Sequence, residues 1–248
     1  MVISSNNNEE SKYMTVDRKI YKEVDDFSAE VLDGDELLKY VEARRGFFNN
    51  PEKTIEKYFV PEEIEDGLST YGDFYYHYMS KYSKGYLYKI GDTGYTEGFR
   101  QLLEKYELDP DLLDINWESM KEKEEVYEVD LVDVLFAMVN YEIGKHGYTM
   151  FGINMGFESL LYFIVREDAY EKRIKKSYNL FTLFDLEFLE NIYNEIYEVT
   201  GDLGIAKVRI GDFLEKKEDG FHTMFKNKAS NIVVNDIDEN NEKLMLIL

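Results

Sequence analysis

The chain has 248 residues, of which 44% are hydrophobic and 15% aromatic, and this composition excludes an intrinsically disordered protein. It contains no cysteine, which excludes disulfides, a thiol nucleophile and a cysteine-ligated metal. Acidic residues number 51 and basic residues 29, so the formal net charge is −22. A field of this sign repels nucleic acid and anionic membranes and attracts basic proteins, although acidity can also serve solubility alone.

The pattern of the N-terminal half predicts a series of helices. Residues 1–12 are polar, and we expect a flexible tail there. Residues 17–46 have apolar residues at near-helical spacing, with a DGD break in between. Asn50 followed by Pro51 predicts a helix start, because proline suits the first helical position. A further short helix is expected over residues 61–67.

Four tyrosines then recur at helical spacing in a segment that Ser69 or Thr70 can cap. These four residues, which we call the tyrosine stripe, are Tyr71, Tyr75, Tyr78 and Tyr82. A tyrosine has a large apolar ring and a polar tip, a combination found at protein interfaces. The stripe therefore predicts either a partner-binding surface or half-buried packing of the helix against its neighbours.

The next segment contains a glycine-rich loop, GDTGYTEG, at residues 91–98. A phosphate-binding loop has similarly spaced glycines, but the Lys-Ser/Thr pair of that motif is missing, so a plain turn is favoured. We expect a short strand over residues 86–90 before the loop and an amphipathic helix from Thr96 after it. Residues 109–129 are ambiguous, because the KEKEE run fits a solvated helix face or a loop.

The most apolar part of the chain extends from Asp130 to Arg166. Asp130 can cap a helix over residues 131–143, which is apolar almost all round and should be buried. Two strands are expected next, over residues 148–155 and 160–165. Since the second is uninterrupted apolar, we predict that it is an interior strand of a sheet on which the helix packs.

The remaining sequence predicts a mixture of elements. Asp185 is expected to cap a helix that reaches about Val199. Residues 205–210 are predicted to form a strand, and residues 231–234 and 244–248 a final hairpin. The segment 167–177 is charged and should be solvated, and a helix there is the open alternative.

Helices early in the chain and strands late in it favour an α+β fold. We predict a helical N-terminal half packed with a small, mostly antiparallel sheet from the C-terminal half. Residues 13–248 are expected to form a single domain, with a division into a helical subdomain, 13–128, and a mixed subdomain, 129–248, as the alternative. The longest wholly apolar runs have six residues, whereas a membrane span needs roughly 20. No secretory signal is visible, so we expect a soluble cytoplasmic protein.

The sequence predicts no metal and no cofactor. His77, His146 and His222 are about 70 residues apart and form no ligand pair. The loop 236–240 has the first oxygen ligands of a calcium loop but lacks its glycine and its final glutamate. Residues 215–217 match the Glu-x-Lys of metal-dependent nucleases, a triplet that arises readily by chance in a chain rich in both residues.

Two functional hypotheses remain, and the first is a non-enzymatic acidic binding protein. It would act as an inhibitor or immunity-type protein that neutralises a basic toxin or nuclease by direct binding. Residues 1–130 contain 31 acids and 16 bases, net −15, against −7 for the rest, so the binding surface is expected in this half. The predicted surface combines the tyrosine stripe with nearby acids: Asp33, Asp35, Glu36, Glu62, Glu63, Glu65, Asp66, Tyr71, Tyr75, Tyr78 and Tyr82.

The second hypothesis is an enzyme of unfamiliar type that uses a carboxylate as general acid or base. Asp133, Ala137, Asn140 and Gly144 fall on one face of the predicted apolar helix. A carboxylate such as Asp133 beside apolar surface would have a raised pKa and could transfer protons, with Asn140 as its polar neighbour. The competing interpretation is that this strip is simply the solvent-exposed edge of the helix.

Overall fold

The computed structural model defines two antiparallel sheets and a set of helices in the part of the chain that it describes. The described residues are 18–60, 68, 70–126, 131–156, 158–192, 195–205, 208–219, 222–228, 233–235, 237 and 242–247. The helices are α1 (Arg18–Val31), α2 (Gly34–Asn49), α3 (Pro51–Tyr58), α4 (Tyr71–Tyr82), α5 (Tyr95–Lys105), α6 (Trp117–Val126), α7 (Val132–Gly144), α8 (Glu167–Ala169) and α9 (Leu186–Ile192). The strands are β1 (Tyr86–Lys89), β2 (Tyr148–Asn154), β3 (Ser159–Arg166), β4 (Thr182–Phe184), β5 (Ile196–Val199), β6 (Phe213–Asp219), β7 (His222–Asn227), β8 (Val233–Asn235) and β9 (Leu244–Leu246).

The first sheet has the strand order β1-β3-β2-β4, which makes β3 an interior strand as predicted. Alternate side chains of β3 enter two different cores. Leu160, Tyr162 and Ile164 pack with α7, while the residues between them pack with the N-terminal helices α1, α2 and α4. The register pairs Phe151 with Phe163 across β2 and β3. The prediction of a buried helix over an interior strand is therefore confirmed.

The second sheet has the order β8-β7-β6-β5-β9 and was not expected as a separate sheet. One of its faces joins the core under α7 through Ile196 and Phe213. The other face forms a third cluster that includes Tyr197 and Leu214. The fold class α+β, with helices mostly early and antiparallel strands mostly late, is as predicted. The exception is β1, which the N-terminal half contributes to the first sheet.

Helix starts in the N-terminal half follow the predicted capping residues. The Asn50 side chain accepts a hydrogen bond from Lys53 N at 3.1 Å at the start of α3. Thr70 and Asp73 form a reciprocal capping box at the start of α4. The ambiguous segment 109–129 contains the helix α6. The predicted tail 1–12, the predicted cap Asp130 and the predicted helix over residues 61–67 lie outside the described residues.

Three predictions in the C-terminal part are wrong. The helix that begins after Asp185 ends at Ile192, and residues 196–199 form the strand β5, because their apolar side chains pair with β6 and enter the core. The predicted strand 205–210 is irregular at Ile205 and at 208–210, where Asp212 accepts a hydrogen bond from Arg209 N at 2.9 Å and closes a turn.

The predicted final hairpin is the third error. Strands β8 and β9 lie at opposite edges of the second sheet and do not pair with each other. Each pairs instead with a strand that the sequence pattern had not revealed, since β8 joins β7 and β9 joins β5.

One close contact between α5 and β1 yields a test of the fold. A Cβ atom at Gly98 would lie 2.1 Å from the ring of Tyr86, whereas a Cβ atom at Gly144 would meet nothing within 4 Å. We expect Gly98→Ala to lower the free energy of unfolding by about 1–3 kcal/mol through overpacking, despite the better helix propensity of alanine. Gly144→Ala, the matched control at the exposed end of α7, should leave stability unchanged or raise it slightly. Equal urea midpoints for the two variants would contradict the packing.

Candidate partner-binding surface

The acids predicted around Asp33 lie at the start of α2, where two of them hold the helix end. Asp33 Oδ1 accepts from Glu36 N at 3.0 Å, and Glu36 Oε2 accepts from Asp33 N at 3.2 Å. The Glu36 amide and the Lys84 ammonium, 3.2 Å away, hold the pKa of Asp33 below its usual value, while burial raises the pKa of Glu36. Asp35 is exposed. The other four predicted acids, Glu62, Glu63, Glu65 and Asp66, lie outside the described residues.

The tyrosine stripe is mostly core, which corrects the prediction that its rings face a partner. Tyr71, Tyr75 and Tyr78 are buried where α4 packs with α2 and the first sheet. The hydroxyl of Tyr71 lies 2.6 Å from that of Tyr40, and the hydroxyl of Tyr75 lies 3.1 Å from Ser28 Oγ. These hydroxyls have internal partners, so the polar tips that suggested an interface serve the fold instead.

Tyr82 is the stripe residue that retains an exposed surface, at 37%. Its hydroxyl donates to the carbonyl oxygen of Tyr58 at 2.6 Å, and its ring lies against the ring of Tyr78 at 4.9 Å. The hydrogen bond from Tyr82 to Tyr58 joins α4 to α3.

The polar strip of α7 is buried in its middle and more exposed at its two ends. Asn140 is buried, where its Oδ1 accepts from Met150 N at 2.8 Å and its Nδ2 donates to Phe136 O at 3.3 Å. Ala137 is buried as well, so the interpretation of the strip as a solvent edge is wrong at these two positions. Asp133 is half-buried in the first turn of α7, about 10 Å from Asn140 along the helix axis. Asn140 joins α7 to β2.

The glycine-rich loop ends in an anion site that the chain fills with its own carboxylate. Glu124 of α6 is buried and accepts hydrogen bonds from three consecutive backbone amides at the start of α5. Its Oε1 binds Gly94 N and Tyr95 N, the latter at 3.0 Å, and its Oε2 binds Thr96 N at 3.1 Å. The predicted plain turn is thus held by hydrogen bonds to Glu124, which is distant in the sequence. Sequence reasoning missed Glu124, because the KEKEE run suggested only solvated acids.

A second acidic surface covers the outside of α5, α6 and the segment that joins them. Residues 97–125, all of which the structure describes, have nine exposed carboxylates against two exposed lysines, Lys105 and Lys121. We call this the α5–α6 surface. Its carboxylates are Glu97, Glu104, Glu107, Asp109, Asp111, Asp114, Glu118, Glu122 and Glu125. None of them was among the predicted site residues.

The segment between α5 and α6 presents an apolar side chain in the middle of these acids. Asp109 Oδ1 accepts from Asp111 N at 3.0 Å, and Trp117 Nε1 donates to Pro110 O at 2.9 Å, which fixes the turn. Arg100 pairs with Asp111 at 2.9 Å. The turn leaves Leu112 78% exposed between carboxylates. An exposed leucine with an acidic rim is a composition suited to protein binding.

Comparison of the chain with protein-family models, with curated proteins and with solved structures found no match. Among the described residues, no helix is both long and apolar enough to cross a membrane, and no three histidine or carboxylate side chains are grouped as metal ligands. The candidate function therefore depends on the chemistry of this chain's own surface.

Removal of the Glu124 carboxylate tests its role. Glu124→Ala leaves three amides at the start of α5 without an acceptor, so we expect the free energy of unfolding to fall by about 1–3 kcal/mol. Glu125→Ala removes an exposed neighbour on the same helix and should change stability by no more than about 0.5 kcal/mol. Chemical denaturation of both variants measures the difference. A Glu124→Ala protein as stable as the control would show that the cap contributes nothing.

The buried tyrosines predict an alkaline stability limit. Burial raises the pKa of Tyr86 to about 12 and raises the pKa values of Tyr71, Tyr75 and Tyr106 further. The unfolded chain ionises its tyrosines near pH 10, so stability is fully present below about pH 10 and is lost as the pH rises towards the folded values. We expect tyrosinate absorbance and loss of circular dichroism to increase together above pH 10. Gradual ionisation of most tyrosines in a still-folded chain would contradict this burial.

Proposed function

We propose that this protein binds a basic protein partner directly and blocks it, in the manner of an inhibitor or immunity-type protein directed against a basic toxin or nuclease. The observation that supports the proposal is the charge of the exposed α5–α6 surface, where nine carboxylates face solvent against two lysines. The proposal places this binding in the cytosol.

The reason this surface suits such a partner is electrostatic. Proteins that act on nucleic acid present basic surfaces that bind phosphates. A dense array of carboxylates competes with phosphate for the same surface, because both are anionic oxygen acceptors. Glu97 and Glu104 of helix α5 are about 10 Å apart along the helix axis, which is close to one Debye length at physiological salt, so their potentials overlap in part.

The acids at the start of α2, with Glu62, Glu63, Glu65 and Asp66, remain a second candidate surface. The acids of α2 lie on the N-terminal helices, which cover the face of the first sheet opposite to the core that α5 and α6 join. Glu62, Glu63, Glu65 and Asp66 lie outside the described residues. The stripe tyrosines Tyr71, Tyr75 and Tyr78 support this surface from inside and do not form it. The two acidic surfaces can therefore be separated by mutation.

The test is the kinetics of binding to the basic proteins encoded beside the gene for this chain. We expect one of them to form a stable complex in which its activity is lost. Its association rate should fall steeply between low and high salt, because exposed charges act mainly on the encounter. The proposal is overturned if every such protein fails to bind, if the partner is acidic, or if the association rate ignores salt.

Double variants of equal charge change locate the surface. Glu104→Gln with Glu118→Gln neutralises two exposed acids of the α5–α6 surface and should slow association several-fold with little effect on dissociation. Glu62→Gln with Glu63→Gln tests the second candidate surface in the same way. The matched control is Glu52→Gln with Glu56→Gln, two exposed acids of α3. If all three double variants slow association equally, the net charge attracts the partner and neither surface is the site.

A further inference from the structure

A groove of about 230 Å³ lies between α7 and the edge strand β9, beside the α5–α6 surface. Its walls include apolar side chains of α7 and β9 that are exposed to solvent, although most of α7 is buried. Tyr141 is 66% exposed, Leu246 56% and Met245 46%. Isolated exposed apolar residues are normal on a protein surface, but here three of them line a single depression.

The groove is also bordered by carboxylates. Asp114, an acid of the α5–α6 surface, lies on its rim, and Asp114 N donates to Glu142 Oε2 at 3.3 Å. Behind the groove, Glu198 pairs in register with Met245, and burial raises the pKa of Glu198, with the negative charge of Asp114 adding to the increase. An apolar wall and an acidic rim therefore occur together.

The chain itself shows how this groove accommodates a cation. Lys145 Nζ lies 4.5 Å above the centroid of the Tyr141 ring and 2.6 Å from Glu142 Oε1. One ammonium group is thus held between an aromatic face and a carboxylate, which is a favourable arrangement for a cation. Lys145 neutralises Glu142, and the exposed carboxylate of Asp114 remains as a negative group on the rim.

We propose that this groove is the docking site for an arginine side chain of the basic partner, with an apolar residue next to it in the partner sequence. The arginine stem would pack on Met245 and Leu246, its guanidinium would stack on Tyr141, and Asp114 would be its counter-charge. Arginine suits the site better than lysine, because its planar group stacks on aromatic rings and binds carboxylates in two-point contacts. This inference rests on the proposed function. It identifies an apolar anchor for the partner in place of the tyrosine stripe, which is mostly buried and so cannot contact a partner.

Methyl NMR with carbon-13-labelled methionine provides a direct readout, since Met138 and Met245 line the groove and Met79 is buried in the opposite core. The probe is the capped peptide acetyl-Leu-Arg-Leu-amide. The control peptide has citrulline, a neutral analogue of arginine, at the central position. We expect saturable shifts of the Met138 and Met245 methyl signals with the arginine peptide, at least tenfold weaker binding of the citrulline peptide, and no shift of Met79.

Two substitutions are expected to weaken binding of the arginine peptide, and a third is expected to strengthen it. Asp114→Asn and Tyr141→Ala should each weaken binding of the arginine peptide by about tenfold, the effect of losing about 1.4 kcal/mol. Lys145→Gln should tighten it several-fold, because it removes the competing cation, and a gain of affinity cannot come from damage to the fold. Glu52→Gln and Leu38→Ala, which change an exposed acid of α3 and an exposed apolar residue of α2, are the controls and should have no effect.

The outcomes separate this inference from the proposed function. The groove assignment is overturned if the arginine peptide shifts signals elsewhere but not Met245, or if the citrulline peptide binds equally well. It is also overturned if Lys145→Gln weakens binding. The proposed function survives each of these results as long as a basic protein still forms a salt-sensitive complex. Conversely, the arginine peptide could bind in the groove while no basic protein forms a complex with this chain. That result supports the groove assignment and overturns the proposed function.

Discussion

Burial of both faces of β3 is the constraint on which the rest of this structure depends. Leu160, Tyr162 and Ile164 point into the core under α7, and Leu161, Phe163 and Val165 point into the core of the N-terminal helices. A shift of one residue in its register would exchange these two sets, so the pairing with β1 and β2 is strongly specified. Because β3 separates the two cores, it also places the α5–α6 surface and the acids of α2 on helices that cover opposite faces of the sheet.

The elements that the sequence predicted well are those with a strong local signal. Residues 131–143 and 160–165 have almost no polar positions, and Asn50 and Thr70 provide caps whose geometry is local. The errors fall in the second sheet. Residues 196–199 continue a helical apolar pattern and become a strand only through pairing with β6. In β6 itself charged residues occupy most positions, so its apolar face is too short to reveal a strand.

The candidate site was predicted less well, because position on a surface depends on tertiary contacts. The spacing of the tyrosine stripe is the same for a helix that faces a partner and for one that faces a core, and only the packing of α4 with α2 decides between them. The charge distribution of the sequence shows that the N-terminal half is the more acidic, but it could not locate the α5–α6 surface, since exposed acids follow no required period. Glu124 belongs to the same KEKEE run as two exposed acids, and its burial depends on where α5 begins.

The acids of this chain divide into those that the fold uses and those that it does not. Asp33, Glu124 and Glu142 accept backbone hydrogen bonds and thereby stabilise helix starts or a turn. Most carboxylates of the α5–α6 surface make no comparable contribution, and their mutual repulsion opposes compaction. The formal net charge of the 248-residue chain is −22, and the exposed carboxylates of the α5–α6 surface contribute to it. Under the proposed function, the exposed charge would accelerate formation of the complex, and the apolar groove beside it would slow dissociation of the complex once formed.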